Sequence, residues 1–376
     1  MQELKRIVGV IQNSDNYREN ALILSMLISA YKSEKKKMTV EHRATIKSFV
    51  LNEAKRLITA IPAADNYRLK DEMLSYGTYI LEFYGMAVSG QEESDEEKQT
   101  VLNLFNLAKS ERVVENSVDS LFKLKSIDQT AVKCVIDRVE GIADEYQRCG
   151  FFNCMLQNSE NFSLLTESAK GEISAFFVRE LERLNKIELS VDETGTLELI
   201  ADVGKYFITE EFCLKLQNAL QTADNGVRLF AIETLLSSGR DVSHNIVSEV
   251  AHDLRYAYML FCLLAELKRT DLFPTELISD EYIAKSEMVQ WLVYPTELGK
   301  APDELELIGC TDVENETYYI FKYKSDSDNL AELKNEWLIG WSSGEGGAFS
   351  NFDKLCDYEK DTPEKTLENI AKKLLK

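Results

Sequence analysis

The chain has 376 residues, 44% of them hydrophobic and 28% charged, with only 17 glycines and 5 prolines. That length exceeds one ordinary core, the composition excludes wholesale disorder, and the shortage of turn residues argues against a sandwich or barrel. A net charge of −21, from 43 basic and 64 acidic residues, disfavours general nucleic-acid binding, which needs Lys and Arg on phosphates, and suits a basic or polar partner.

The chain opens on MQELKRIVGVIQNSD, without the apolar run and small-residue cleavage site of a secretory leader. Its longest apolar runs, ALILSMLISA and YAYMLFCLLA, are about half a membrane span, so a cytoplasmic protein with no membrane partner is expected. From the start to about residue 285, apolar residues recur at helical spacing. After Asp15, Leu22, Met26 and Ser29, with Leu24, Leu27 and Ile28 between them, predict a helix with a broad apolar face. Val50, Ala54, Leu57 and Ile61 predict another, closed by Pro62, and Leu74, Tyr79, Ile80, Phe83 and Tyr84 predict a third. The polar run GQEESDEEKQT at 90–100 predicts a solvated loop whose acids begin the next helix. Helical patterns continue over 101–108, 113–124, 130–147, 163–186, 196–207 and 210–221.

The first sixty residues hold eleven Lys/Arg against six Asp/Glu, whereas residues from 301 onward hold nine against seventeen. Lys35, Lys36 and Lys37 predict a solvated loop between two helices rather than an anion site. The segment DNYR occurs at 15–18 and again at 65–68, each time leading into an apolar helix, and Asp as the N-cap explains both.

A third echo carries more. DNGVRLFAIETLL sets Asp224, Val227, Arg228, Ala231 and Leu235 in the order D-x-x-V-R-x-x-A-x-x-x-L, and HDLRYAYMLFCLL repeats part of it with Asp253, Arg255 and Ala257, one residue short. This pattern, over about residues 196–273, resembles the bacterial HEAT-type repeats. The resemblance implies that the Asp and Arg tie neighbouring repeats together, that the small Ala lets helices pack closely, and that stacked helix pairs form a solenoid with an extended surface. HEAT-like folds include DNA glycosylases with a basic concave face, a role the overall charge argues against.

The texture changes at WLVYPTELGKAPDELELIG, because three of the five prolines lie between 274 and 302. LELIGCTDV, TYYIFKYKS and NEWLIGWSS then read as three strands of an antiparallel sheet, the first two joined by a polar turn at Glu314, Asn315 and Glu316. Tyr319, Phe321 and Tyr323 share one face of the second strand, and Tyr318, Ile320 and Lys322 the other; Trp337, Ile339 and Trp341 share a face of the third. In the final segment, Thr362 caps a helix, Pro363 takes its first position, and Leu367, Ile370, Ala371 and Leu374 form a stripe that covers one face of the sheet.

Little points to catalysis. His42, His244 and His252 have no metal-ligand spacing, and no cofactor or metal is expected. The seven cysteines are scattered without a CxxC and read as reduced, buried small hydrophobes. The glycine-rich stretch SSGEGG at 342–347 could cradle a phosphate, but no Lys-Ser/Thr follows and Glu345 repels an anion, so a turn is expected. Trp291, Tyr294, Trp337 and Trp341 remain as candidate partner-binding residues, since large aromatics anchor interfaces. The packing alternative is that Trp291 and Tyr294 sit under the sheet at a proline-stiffened joint.

The expected fold is therefore mostly α: a HEAT-like solenoid or helical-pair array over 1–285, followed at 290–376 by a small α+β module of three antiparallel strands and a C-terminal helix. The expected function is a non-catalytic protein–protein scaffold, immunity- or antitoxin-like, that binds a basic protein. The alternatives are an enzyme or nucleic-acid-processing protein that uses the solenoid groove, and a small-ligand sensor in the C-terminal module.

Overall fold

The structure, a computed structural model, describes residues 2–33, 38–88, 94–107, 129–143, 145–157, 162, 165–185, 188–221, 224–313, 316–360 and 362–374. The expected helix at 113–124 and the triple lysine at 35–37 lie outside them. The fold is mostly α, with an α+β module at the C-terminal end. The chain divides into two compact units, Met1–Ala219 and Leu220–Lys376. The sequence texture changes between α and β only near 285–290, so four helices belong to the same unit as the sheet.

The described residues of the first unit form α1 (Gln2–Gln12), α2 (Tyr17–Ser33), α3 (Val40–Ala63), α4 (Tyr67–Val88), α5 (Asp95–Leu107), α6 (Gln129–Glu140), α7 (Glu145–Gln157), α8 (Glu167–Leu184), α9 (Val191–Val203) and α10 (Glu210–Ala219). The pattern read as one helix over 130–147 is two, because α6 stops at Glu140 ahead of Gly141 and α7 starts at Glu145. Helix α3 packs most extensively on its neighbour α4, and the other main packings join a helix to the second one along the chain: α2 to α4, α3 to α5, α6 to α8, α7 to α9 and α8 to α10. This is the packing of an array of antiparallel helix pairs.

Local chemistry sets the helix starts. Thr39 accepts from the His42 backbone N–H at 3.2 Å to cap α3. Ser94 and Glu97 form a reciprocal capping box at α5, and Ser190 and Glu193 another at α9. In the two DNYR segments the capping residue is the Asn and not the Asp. Asn16 accepts from the Glu19 N–H at 3.2 Å, and Asn66 from the Arg68 N–H at 2.9 Å, because α2 and α4 begin at the following tyrosines.

The apolar face expected on α2 is narrower than its composition. Ala21, Leu24 and Ile28 are buried, while Leu22 and Met26 are 61% and 65% exposed. A helix in a pair array buries one stripe, and Leu22 and Met26 fall about 100° round from it. The core beyond α6 is aromatic: Phe152 lies 5.3 Å from Phe177, which in turn contacts Phe207 and Phe212. Beside it, Arg183 on α8 joins Glu180, Glu145 on α7 and Glu193 on α9, tying three helices through a largely enclosed ion network.

The second unit begins with α11 (Asn225–Ser237), α12 (His244–His252), α13 (Ala257–Glu266) and α14 (Asp280–Leu292), each packed on the next. Asp224 caps α11 by accepting from the N–H groups of Gly226 and Val227 at 2.9 and 3.2 Å. Arg228 reaches Glu249 on α12 at 2.7 Å, and Asn225 donates to Asp253 at 3.1 Å, so α11 is tied twice to the C-terminal end of the helix that follows.

The sheet has four antiparallel strands in the order β1 (Glu304–Val313), β2 (Glu316–Lys324), β3 (Leu338–Ser342) and β4 (Phe349–Lys354), where three were expected. The fourth, FSNFDK, is short and rich in residues that disfavour strands, and only pairing with β3 makes it one. Helix α15 (Pro363–Leu374) starts at the predicted proline, with the Thr362 hydroxyl accepting from the Lys365 N–H. The sheet lies between two helices. On one face Phe321, Tyr323 and Leu338 pack with Ala284, Met288 and Leu292 of α14. On the other, Ile320, Ile339, Trp337 and Trp341 pack with Leu367 and Ile370 of α15.

The cysteines are less buried than their apolar surroundings suggest. Cys213 is buried, Cys134, Cys149 and Cys262 are half-buried, and Cys310 and Cys356 are exposed. Among the described residues no helix is long and apolar enough to cross a membrane.

Candidate functional site

The four aromatic residues singled out above do not form one patch. Trp291 lies near the end of α14 and Trp341 on β3. Phe349 of β4 stands between them, its ring centroid 6.0 Å from Trp291 and 5.0 Å from Trp341. Phe349 gains this place as the cross-strand partner of Trp341. Tyr294 follows α14 in the turn and is 57% exposed. Trp337, just before β3, packs with Trp341 on the face covered by α15, away from the core that holds Trp291. Lys322 and Lys324 both sit 4.3 Å from the Trp337 ring centroid, so cations of its own chain already occupy it.

Trp291 and Tyr294 instead line a cleft of about 380 Å³ within the second unit. Its floor is the second half of α14 and the turn after it: Glu287 and Trp291 share a helix face four residues apart, Gln290 lies beside them, and Tyr294 stands in the turn. Tyr258 of α13 and the loop residues Gly346 and Ala348 form the opposite wall, and Thr296 and Glu297 close the end. Asn329 holds that end in place by donating to the Pro295 and Glu297 carbonyls.

The electrostatics of the cleft are one-sided. Glu287 and Glu297 contribute carboxylates, and no Lys, Arg or His lines the space. Glu287 is only 5% exposed. Its Oε2 accepts from the Ser342 hydroxyl and from the Gly344 N–H, the latter at 2.8 Å. Among the described residues its Oε1 accepts nothing, and neither carboxylate takes part in an ion pair. The indole Nε1 of Trp291 is enclosed and donates to nothing among the described residues. Burial pushes the Tyr258 hydroxyl well above its ordinary value, and nearby Cys262, Glu287 and Glu345 push it further, so the phenol stays neutral.

The glycine-rich loop at 342–347 does cradle an anion, but one from its own chain. Gly344, at φ +75°, brings its N–H onto Glu287, and an added Cβ there would stand 3.3 Å from the Ala284 backbone nitrogen. This contact is invisible in the sequence, because the two partners lie 57 residues apart. Glu287, Glu297 and Tyr258 were likewise not singled out. Carboxylates are too common in this chain for one to stand out, and the spacing of Glu287 to Trp291 was the only local signal.

A second groove, of about 750 Å³, runs between α2 and α4 and brings the two DNYR segments together. Its Arg18 and Arg68 face Glu19, Asp71 and Glu72, and Arg68 pairs with Glu72, so its charges largely cancel. Burial pushes the thiols of Cys149 and Cys262 up, opposite to what a reactive thiolate requires. His42 and His252 hydrogen-bond to nearby hydroxyls or carbonyls on their own helices. No protein-family model matches the chain, and neither does any curated protein or solved structure.

Proposed function

We propose that this chain is a non-catalytic protein-binding scaffold that engages a basic partner, in the manner of an immunity or antitoxin protein masking a basic surface. The observation that carries the reading is the cleft of the second unit: the exposed ring of Tyr294 and the Trp291 indole stand beside two carboxylates that no cation among the described residues neutralises. Aromatic anchors beside unpaired charge are what a complementary interface uses for affinity and for orientation. The net charge of −21 adds long-range attraction for a basic molecule. The helix pairs support a scaffold role, and the ties from Arg228 to Glu249 and from Asn225 to Asp253 support a HEAT-like reading of α11–α13.

Affinity capture from the source cytoplasm at low and high salt tests the proposal. The expected result is one basic protein held at near-equal stoichiometry, released by high salt and lost with Tyr294→Ala. Retention of nothing, or of a partner indifferent to both salt and Tyr294, overturns it.

A further inference from the structure

Resting on that reading, we infer that the cleft at the end of α14 is a site for one guanidinium group, the side chain of an arginine on the partner. Three features converge on this chemistry. The first is an incomplete charge. Glu287 is more than nine-tenths enclosed, yet among the described residues its hydrogen-bond donors are a hydroxyl and a backbone N–H, both on Oε2. A carboxylate so placed is costly unless a cation completes it, and the lining contains none. Glu297 at the end of the cleft also lacks a cation, so the space holds two negative charges against no positive one.

The second feature is shape. Trp291, Tyr294 and Tyr258 supply flat aromatic surface next to the carboxylates. A guanidinium is planar, stacks on rings and donates in a fork to a carboxylate, whereas an ammonium is a compact, strongly hydrated point charge that gains less from such walls. The volume of about 380 Å³ lies within the usual range of ligand sites and leaves room for the aliphatic stem as well as the head. The third is the helix itself: the cleft opens at the C-terminal end of α14, the negative end of its dipole.

The same features exclude other occupants. An anion meets two carboxylates, and in the glycine-rich loop the Gly344 N–H is already turned onto Glu287 and the Glu345 N–H onto Ser343. A neutral apolar ligand would leave Glu287 enclosed without a countercharge.

The test uses the full chain and ethylguanidinium as the probe, with n-butylammonium as a control of equal charge. The Trp291 indole N–H resonance, assigned with Trp291→Phe, reports binding. Ethylguanidinium is expected to shift it saturably and n-butylammonium to bind several-fold more weakly. Tyr294→Ala, at an exposed position that leaves the fold intact, is expected to weaken guanidinium binding about five-fold. Glu297→Gln and Glu287→Gln are expected to weaken it further; the first removes charge without touching the loop, so a folding defect in the second does not blur the result. Equal binding of the ammonium overturns the guanidinium assignment. No shift with guanidinium, while a basic protein is still captured, overturns the site and leaves the scaffold reading standing. No shift and no captured partner overturn both.

Discussion

The backbone N–H of Gly344 donates to Oε2 of Glu287 at 2.8 Å, fastening the loop after β3 to the middle of α14. A turn that could have received a phosphate is filled by a side chain of the protein. The bond closes one wall of the cleft, and among the described residues the other oxygen of Glu287 has no partner.

Gly344→Ala tests that fastening. The residue adopts φ +75°, and a Cβ would press on the Ala284 backbone. The substitution is expected to cost about 1–2 kcal/mol, read as a lower urea midpoint with an unchanged slope, and to alter tryptophan emission as the loop leaves Trp291. An unchanged midpoint would show that the loop is not held as described.

Gly340 on β3 is close-packed against Met288: a Cβ there would overlap the methionine Cε and stand 3.1 Å from the Phe349 carbonyl oxygen. Gly340→Ala is expected to overpack the core and to cost about 1–3 kcal/mol. Met288→Ala, which leaves a cavity, is expected to cost about 2–5 kcal/mol alone. Combined, the two should cost less than their sum, because the new methyl occupies space the methionine vacated. Strict additivity in a denaturation cycle would contradict this packing.

The DNYR segments give a paired test of capping. Asn66 accepts from the N–H groups of Arg68 and Leu69, while Asp65 is the residue before the cap. Asn66→Ala is expected to lower stability by about 1 kcal/mol. Asp65→Ala should change it by less than about 0.5 kcal/mol. The reverse order, by thermal or chemical unfolding, would restore the aspartate as the cap.

Asp253 links α11 to the turn before α13. Burial raises its pKa, but hydrogen bonds from Arg255 and Asn225 outweigh this and hold it below the usual carboxylate value. A depressed carboxylate adds stability that is fully present above its unfolded value, near 3.8, and is lost as pH falls through the lower folded value. Asp253→Asn should therefore be less stable than the parent at neutral pH, with the gap narrowing below about pH 4. Urea midpoints across that range give the answer, and a constant gap would remove the linkage.

The sequence by itself determined what depends on near neighbours along the chain. The alternation of Ile320 with Phe321 and Tyr323 assigned each to the face of β2 it occupies, because strand sides follow a period of two. Thr362 and Pro363 marked the start of α15, and its stripe of Leu367 and Ile370 foretold which element covers the sheet, since caps and helical faces are set within a few residues. The tertiary structure alone decided what depends on distant partners. It exposed Leu22 and Met26, because which part of a broad apolar face is buried is settled by the neighbouring helices. It made FSNFDK a strand by supplying β3 as its mate. It put Trp291 in the core on one face of the sheet and Trp337 in the core on the other, and it set Glu287, 57 residues before Gly344, beneath the loop that encloses it. Periodicity carries no record of such pairings, because a hydrogen bond between remote segments depends on the path of the chain between them and not on the residues beside either partner.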